Sequence, residues 1–329
     1  TDATLPVHLL DNGANNYGAD FNVTFLSLIN TSTTTASQLI FGFNGNDNLS
    51  GDLISSVTGT LAVDCIRLNN QNSQVFNLAA DHIDGGAGND KISGDILTVD
   101  QDGIALEGNS NNNPFNFGAD HLQGGTGDDE ISGDVLELAS DQTGVDVGGT
   151  SNNNTFNFGA DRIEGGGGND TLYGDVNSIG GTATQVNNQV WNFAIDTFVY
   201  NLAGGVGSLG NDIIRDFNVD DPQIAGSVFD RLEFRNVMDV TNSDLDGNSV
   251  SNSMDDLIAL TDVVNNGSGG AKIMIYNNAT IHDNTTFIGS IDLQVGNVTE
   301  GTAVAGFGTG VTFAGSEINN YANITVTIV

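Results

Sequence analysis

The chain of 329 residues has one cysteine, Cys65, so it cannot form an intrachain disulfide. No apolar run approaches the length that crosses a membrane. The residues that follow Thr1 lack the basic and apolar regions of a secretory signal. We therefore expect a fold that is held together by something other than disulfides, and an export signal that was either removed or is of another kind.

Basic residues are scarce: 7 Lys and Arg stand against 42 Asp and Glu, which gives a formal net charge of −35. Nucleic acids and anionic membranes bind basic surfaces, so the composition argues against both as partners. Self-repulsion of this size destabilises a compact fold unless counter-ions neutralise it. Multivalent cations are the expected partners, although acidity alone also fits a soluble or salt-adapted surface.

The common catalytic motifs are missing as well. The sequence contains no H-E-x-x-H, no G-x-S-x-G, no P-loop and no Cys/His metal cluster. Carboxylate pairs are abundant, so residue types alone leave acid–base chemistry open. The carboxylates fall at regularly repeating positions, however, which favours metal binding. We predict that the chain is not an enzyme.

Glycine is abundant, with 44 residues against 3 prolines. Glycine together with many Asn and Asp residues is typical of tight turns. The hydrophobic residues make up 38% of the chain and occur in short alternating runs. Such runs predict short strands and argue against a disordered chain.

The glycines belong to a long repeat. Three segments, 81–95, 120–134 and 161–175, share one pattern, and weaker copies occupy 45–52 and 210–214. Each strong copy contains the nonapeptide G-G-x-G-x-D-x-U-x, where U is a large apolar residue. The aspartates of this motif recur every 39 to 43 residues, at Asp47, Asp90, Asp129, Asp170 and Asp212.

A second, partial nonapeptide precedes each strong copy. Its aspartates, Asp81, Asp120 and Asp161, each lie nine residues before a motif aspartate. Asp120 and Asp161 stand in G-x-D segments, whereas Ala79 replaces the glycine before Asp81. In the first copy Gln38 stands where the aspartate is expected.

Over roughly residues 36–216 these motifs resemble the RTX (repeats-in-toxin) family, whose repeats are also called haemolysin-type calcium-binding repeats. The resemblance implies that glycine turns supply carbonyl oxygens, that aspartates supply carboxylates, and that several Ca²⁺ ions bind between stacked coils. The predicted ligand residues are Asp47, Asp81, Gly85, Gly88, Asp90, Asp120, Gly124, Gly127, Asp129, Asp161, Gly165, Gly168, Asp170, Gly210 and Asp212.

An RTX roll has about 18 residues per coil, because two nonapeptides form one coil. Here equivalent turns recur about every 40 residues. We therefore predict an all-β fold, a parallel β-solenoid (β-helix or β-roll) with one large coil of about 40 residues per repeat. The Gly-Asp pairs that end at Asp52, Asp95, Asp134 and Asp175 form either a third row of ligands or plain turns.

The remaining residues of each repeat also recur. Phe76, Phe115, Phe156 and Trp191 occupy one position and are expected to stack in the core. The asparagines that follow them either form a hydrogen-bonded ladder or face solvent. His82 and His121 share a position with Arg162, so we interpret them as surface residues rather than metal ligands.

We divide the chain into three parts: residues 1–35 as an N-terminal cap or first coil, 36–216 as the calcium-binding solenoid, and 217–329 as a C-terminal β-rich domain. The last part resembles the segments that close RTX blocks and the uncleaved export signal of type I secretion substrates. Within it, residues 242–247 resemble the first half of an EF-hand loop. They form either a weak calcium site or an Asp-rich turn before a short helix near 254–260.

These features favour a calcium-binding extracellular structural protein of a bacterium. We expect it to fold on binding calcium and to assemble with copies of itself, or with a cell surface or matrix, into a fibre, surface layer or matrix. Two alternatives remain. One is the C-terminal export and folding module of a larger secreted enzyme or adhesin, and the other is a polysaccharide- or surface-binding module.

Overall fold

The structure is a computed structural model, and it describes residues 7–9, 16–18, 33–55, 65–99, 102–138, 144–182, 184, 186, 188–203, 207–217, 230–237, 257, 258, 260–266, 271–278, 281–294 and 325–328. Nearly all regular structure in these residues is β-strand. None of the described helical residues forms a segment that is long and apolar enough to cross a membrane.

The first two coils contain short strands. They comprise β1 (Val7–Leu9), β2 (Asn16–Gly18), β3 (Thr33–Thr34), β4 (Leu39–Phe41), β5 (Asn48–Ser50), β6 (Leu53–Ser55), β7 (Ile66–Asn69) and β8 (Phe76–Asn77).

The next three coils repeat this order. They comprise β9 (His82–Ala87), β10 (Lys91–Ser93), β11 (Ile96–Thr98), β12 (Ile104–Glu107), β13 (Pro114–Asn116), β14 (His121–Thr126), β15 (Glu130–Ser132), β16 (Val135–Glu137), β17 (Val145–Val147), β18 (Thr155–Asn157), β19 (Arg162–Gly167), β20 (Thr171–Tyr173), β21 (Ile179–Gly181) and β22 (Val190–Asn192).

The last described strands have four to seven residues. They comprise β23 (Thr197–Asn201), β24 (Gly210–Ile214), β25 (Arg231–Arg235), β26 (Thr261–Asn265), β27 (Ala271–Tyr276), β28 (Phe287–Leu293) and β29 (Thr325–Ile328).

Equivalent strands of successive coils pair in parallel and form five sheets. Sheet A has the order β1-β4-β9-β14-β19-β23-β25-β29, and sheet B has the order β2-β5-β10-β15-β20-β24-β28-β27-β26. Sheet C contains β6, β11 and β16; sheet D contains β7, β12, β17 and β21; and sheet E contains β3, β8, β13, β18 and β22.

The register confirms one coil per repeat. Ile92 pairs with Leu49 on one side and with Ile131 on the other, so each apolar residue lies directly above its equivalent. Because side chains alternate across a strand, this register places all three in the interior. The predicted all-β parallel solenoid with coils of about 40 residues is therefore confirmed.

The described coils form two large hydrophobic cores and one small cluster, which contains Ile54, Leu97 and Leu136. Sheets A and B enclose one core, which contains Ile83, Ile92 and their equivalents. Sheets C, D and E enclose the other, which contains Ile96, Ile104 and Phe115. We call these the A–B lobe and the C–E lobe. The chain leaves sheet B for the C–E lobe and returns from sheet E to sheet A.

Stacked aromatic rings fill the C–E lobe. Phe115 stacks on Phe76 and on Phe156 with ring centroids 4.9 Å apart, and Trp191 stacks on Phe156 at 4.5 Å. These separations match the strand spacing of about 4.8 Å, so parallel in-register strands place the rings in contact. The prediction of core aromatics is confirmed for Phe76, Phe115 and Phe156, which are fully buried, and Trp191 packs against the same core while partly buried.

The asparagine ladder is also confirmed. The side-chain amide of Asn116 donates to Asn77 at 2.8 Å, Asn157 donates to Asn116 at 2.6 Å, and Asn192 donates to Asn157 at 2.6 Å. The ladder runs along the outer side of sheet E, because these residues alternate with the buried aromatics.

Sheets A and B continue into the C-terminal part of the chain. There β28 pairs in parallel with β24, and β27 and β26 add to it in antiparallel order. Within residues 217–329, which were predicted to be β-rich, the described strands are β25 to β29. Leu257, Ile258 and Leu260 are helical where a short helix was predicted, and the EF-hand-like segment lies outside the described residues. The three-part division of the chain remains a prediction.

The aromatic stack generates a prediction about stability. Replacing Phe115 by Ala removes a fully buried ring that contacts two others, and we expect the free energy of unfolding of the calcium-loaded protein to fall by about 3–5 kcal/mol. Denaturant unfolding followed by circular dichroism measures this change. Ile281→Ala is the control, because Ile281 is 48% exposed, and it should leave the midpoint almost unchanged. Equal effects of the two substitutions would contradict the packing described here.

Candidate calcium sites

The motif aspartates line up in the turns that join sheet A to sheet B. We call Asp47, Asp90, Asp129, Asp170 and Asp212 the tip row. In each step the backbone N–H of one aspartate donates to Oδ1 of its equivalent in the next coil, at 2.7 to 3.0 Å. The row is therefore a continuous ladder that fixes the position of every carboxylate.

The second carboxylate oxygen has no such donor. In Asp90, Asp129, Asp170 and Asp212 the Oδ2 atom is buried and accepts no hydrogen bond from the described residues. In three of these coils the oxygen lies over a glycine of its own coil: a methyl group at Gly85, Gly124 or Gly165 would lie under 3.0 Å from Oδ2 of Asp90, Asp129 or Asp170, respectively. Glycine therefore keeps this space free of side chains.

The turn itself requires glycine at a second place. Gly88, Gly127 and Gly168 have φ between +131° and +140°, and Gly210 has φ of +73°. L-residues with a side chain rarely adopt this conformation. These positions also stack closely, since a methyl group on Gly127 would meet the carbonyl oxygen of Gly88.

Without a bound cation, burial of the ionised tip-row carboxylates destabilises the folded state. It raises the pKa of Asp90 to about 6 and that of Asp129 to about 7, and together with repulsion from Asp170 it raises the pKa of Asp212 to about 9. Buried carboxylate oxygens without donors, set beside backbone carbonyls, match the oxygen ligands that calcium takes. The residues present therefore fit Ca²⁺.

A second ladder runs between the two lobes, where the chain enters sheet A. We call Asp81, Asp120, Asp161, Asp196 and Asp230 the waist row. Asp120 donates its backbone N–H to Asp161 at 2.7 Å, Asp161 to Asp196 at 2.8 Å, and Asp196 to Asp230 at 3.0 Å. Gln38 occupies the first position and donates its backbone N–H to Asp81 without offering a carboxylate.

The Gly-Asp pairs lie opposite the waist row, where the chain leaves sheet B. Oxygens of Asp95, Asp120 and Asp134 all lie within 4.8 Å of one another, and all three residues are buried. The Asp95 carboxylate accepts a hydrogen bond from the Gly118 N–H at 3.0 Å. The aspartates of these pairs therefore form a further row of buried carboxylates beside the waist row, and their role as ligands remains a prediction.

This junction is the most acidic part of the interior. Burial, followed by repulsion from neighbouring aspartates, raises the pKa well above its ordinary value in Asp95, Asp120, Asp134, Asp175 and Asp196. Burial also raises the pKa of Asp161 to about 8. Such groups repel one another when ionised, so a bound cation would relieve both the burial and the repulsion.

Two members of the waist row, Asp196 and Asp230, were missed in the sequence. The glycine before Asp196 is replaced by Ala194, and neighbouring members are here 35 and 34 residues apart. The Trp191-Asn192-Phe193 strand, which matches the earlier Phe-Asn-Phe strands, was the available signal for Asp196.

His82 and His121 lie on the outer face of sheet A. Their rings meet edge to face with centroids 4.5 Å apart, and both residues are half-buried rather than fully exposed. Burial, His82 and Arg162 lower the pKa of His121. Arg162 itself forms an ion pair with Glu233.

The comparisons with known proteins agree with this geometry. The family described as the RTX calcium-binding nonapeptide repeat (4 copies) matches residues 77–96, 116–135 and 157–177. No curated protein and no solved structure matches the chain significantly. The chain thus contains haemolysin-type RTX nonapeptide repeats and is a calcium-binding RTX repeat protein. Such repeats are typical of type I secreted proteins, which points to an extracellular location.

The buried aspartates predict an unusual dependence on pH. In the calcium-free folded chain their pKa values lie above the unfolded value of about 3.9, so the folded state binds more protons. Stability without calcium is therefore greatest near or below about pH 4 and falls as the pH rises through about 6 to 9.

We expect calcium-stripped protein to show β-structure at about pH 4.5 and to lose it at about pH 8. Circular dichroism at the two values measures this, and calcium added at pH 8 should restore the signal. Equal β-structure at both values without calcium would contradict the proposed cost of the buried carboxylates.

A substitution in the turn tests the tip row directly. Gly124→Ala places a methyl group against both Asp129 Oδ2 and the Gly165 carbonyl oxygen. Overpacking of this kind costs about 1–3 kcal/mol, so the calcium concentration at the folding midpoint should rise. Thr126→Ala, at an exposed position two residues away, is the matched control and should leave the midpoint unchanged. A midpoint that does not move in Gly124→Ala would argue against calcium at this turn.

Proposed function

We propose that the protein is an extracellular structural protein of a bacterium that folds when it binds calcium and then assembles with copies of itself into a fibre, surface layer or matrix. One observation carries the proposal: the carboxylate rows run through the coils from Asp47 to Asp230. Calcium binding is thereby distributed along the whole described solenoid rather than confined to one site.

We also propose that the chain is not an enzyme. The carboxylates that would be available for acid–base chemistry are committed to ladders in which each Oδ1 accepts a backbone N–H from the previous coil. Carboxylates held at equivalent positions in successive coils suit repeated metal binding better than a single catalytic pair.

Calcium would act as the switch for folding. At low calcium the stacked aspartates repel one another and the folded state is disfavoured. Binding to the folded state alone stabilises it by mass action, and each further site adds to the effect. A chain that remains unfolded inside the cell and folds at the millimolar calcium outside would suit export in the unfolded state.

Assembly would use the end of the C–E lobe. Within the described residues, sheet E ends at β22, and Val190 on that strand is 45% exposed. The stack of Phe76, Phe115 and Phe156 continues to the half-buried ring of Trp191 on the same strand. Among the described strands, sheet E has β22 at one edge and β3 at the other, and the two edges of a parallel sheet are complementary.

The proposed partner at β22 is therefore a second copy of the chain that presents β3. Two different edges of the same chain would meet in a head-to-tail contact. A contact of this type repeats without closing and builds a filament. The same in-register pairing that joins coils within one chain would then join neighbouring chains.

Light scattering during a calcium titration tests the assembly. The unmodified chain should gain β-structure first and scatter more strongly afterwards. Val190→Lys places a charge on the edge strand and should suppress the rise in scattering without changing the circular dichroism. Ile281→Lys is the control, because Ile281 is equally exposed but lies in a turn, and it should assemble like the unmodified chain.

Each alternative has its own outcome. Calcium-dependent folding without any rise in scattering would overturn the structural role and favour an export and folding module of a larger secreted enzyme or adhesin. Retention of the folded, non-assembling chain on a polysaccharide resin would favour the surface-binding module.

A further inference from the structure

The tip and waist rows share one geometric relation between a glycine and an aspartate. In the tip row, Gly85 opens the nonapeptide and Asp90 Oδ2 lies over its Cα, so that a methyl group at Gly85 would be under 3.0 Å from this oxygen. In the waist, Gly94 has the same relation to Asp120 Oδ2. Gly85 and Asp90 are five positions apart in the chain, whereas the C–E lobe of the coil lies between Gly94 and Asp120.

The same relation holds in three further coils of each row. In the tip row it joins Gly42 to Asp47, Gly124 to Asp129, and Gly165 to Asp170. In the waist it joins Gly51 to Asp81, Gly133 to Asp161, and Gly174 to Asp196. A coincidence at one coil is thereby excluded, and the two rows have equivalent turns.

The residues at the waist match the nonapeptide motif, but its two halves are not contiguous in the sequence. Gly94-Asp95 followed by residues 117–123 gives G-D-F-G-A-D-H-L-Q, which matches G-G-x-G-x-D-x-U-x except at position two. Gly133-Asp134 followed by 158–164 gives G-D-F-G-A-D-R-I-E. The residues between the two halves, 96–116 and 135–157, are the strands of the C–E lobe.

We propose that the waist is a second row of RTX-type calcium sites, in which each calcium-binding turn is split by insertion of the C–E lobe and gains the Asp at position two as an additional ligand. This inference rests on calcium binding by the repeats, as the proposed function does, but it is independent of assembly. The large coil is then an ordinary coil of two nonapeptides with a lobe inserted into one of them.

The split turn changes the chemistry of the site. Position two is Gly86, Gly125 and Gly166 in the tip nonapeptides and Asp95, Asp134 and Asp175 in the waist. Three carboxylates, from Asp95, Asp120 and Asp134, therefore converge on one point of the waist. Asp95 Oδ1 and Asp120 Oδ2 are buried there and accept no hydrogen bond from the described residues.

More carboxylates and a more rigid surrounding both tighten calcium binding. The waist has more carboxylates and lies between two packed cores, whereas the tip turns lie at the end of one core. The waist sites therefore bind calcium more tightly than the tip sites and fill first.

A waist ion also closes a loop. It joins the residues where the chain leaves the A–B lobe to those where it returns, so it fixes both ends of the inserted lobe. The ion binds the folded chain only, so its binding free energy offsets the conformational entropy that the chain loses when this loop closes. Packing of the C–E lobe therefore depends on the waist ions, and Trp191, the one tryptophan of the sequence, reports that packing by fluorescence.

The experiment uses the full chain and calcium alone, and it compares two matched double variants. Asp95→Asn with Asp134→Asn alters the waist, and Asp90→Asn with Asp129→Asn alters the tip in the same two coils. Bound calcium is measured by titration calorimetry and by metal analysis after dialysis, and Trp191 fluorescence is recorded along the titration.

The unmodified chain should show two classes of site. The waist variant should weaken the affinity of the tight class about tenfold or more and shift the Trp191 transition to higher calcium, whereas the tip variant should weaken the other class with little shift of the Trp191 transition. Weakening of the same class in both variants, or unchanged affinity of the tight class in the waist variant, would overturn the inference.

A further variant guards against simple misfolding. Asp95→Gly with Asp134→Gly restores the glycine that the nonapeptide has at position two, so the turn should still form. The number of bound ions should stay the same, while the affinity of the tight class should fall about tenfold or more. Unchanged affinity would exclude these aspartates as ligands. Because light scattering is not used, failure of the assembly proposal would leave these outcomes unaffected.

Discussion

The fold depends on one repeated hydrogen bond, in which the backbone N–H of an aspartate donates to the carboxylate of its equivalent in the next coil. This bond requires successive coils to lie in register, and it uses one oxygen of each carboxylate. The other oxygen is left in the interior without a donor, as in Asp129 and Asp161. The hydrogen bond that aligns the coils therefore also leaves a buried carboxylate oxygen that a cation can bind.

The same register determines the packing. Because equivalent residues lie above one another, an apolar position in one coil must be apolar in the next, and flat rings stack face to face as Phe76, Phe115 and Phe156 do. Polar positions follow the same logic, since Asn77, Asn116 and Asn157 bond to one another along the outside. Side-chain ladders therefore stabilise the solenoid at the core, at the turns and on the surface.

Much of this architecture could be predicted from the sequence. The spacing between Asp90, Asp129 and Asp170 equals the number of residues in one coil. The alternating runs after each Gly-Asp pair correspond to the strands of sheets C and D. Calcium as the partner followed from motifs that are contiguous in the chain. The position of the core aromatics followed from their recurrence beside outward-facing asparagines.

Two features of the site could not be predicted in this way. The contact between Gly94 and Asp120 joins residues that are distant in sequence, and a motif search that requires contiguous residues finds only its second half. Asp196 and Asp230 lie where the coil becomes shorter, so their spacing departs from the period that identified the others. In both cases the missing information was the path of the chain through the C–E lobe, which tertiary packing decides.

The split turn explains why so large a lobe is tolerated at that place. A calcium turn needs its glycine and its aspartate to be neighbours in space, and the chain between them can be long if its ends return to the same point. The entropic cost of closing a loop grows only slowly with its length, and each lobe also packs on the lobe of the next coil through sheets C, D and E. Among the described coils, the lobe at the N-terminal end packs on one neighbouring lobe, whereas each inner lobe packs on two. The insertion therefore becomes favourable only when several successive coils carry it. A repeat of this kind is therefore stable as an array, with calcium holding each lobe closed at its base and the stacked aromatics joining it to the next.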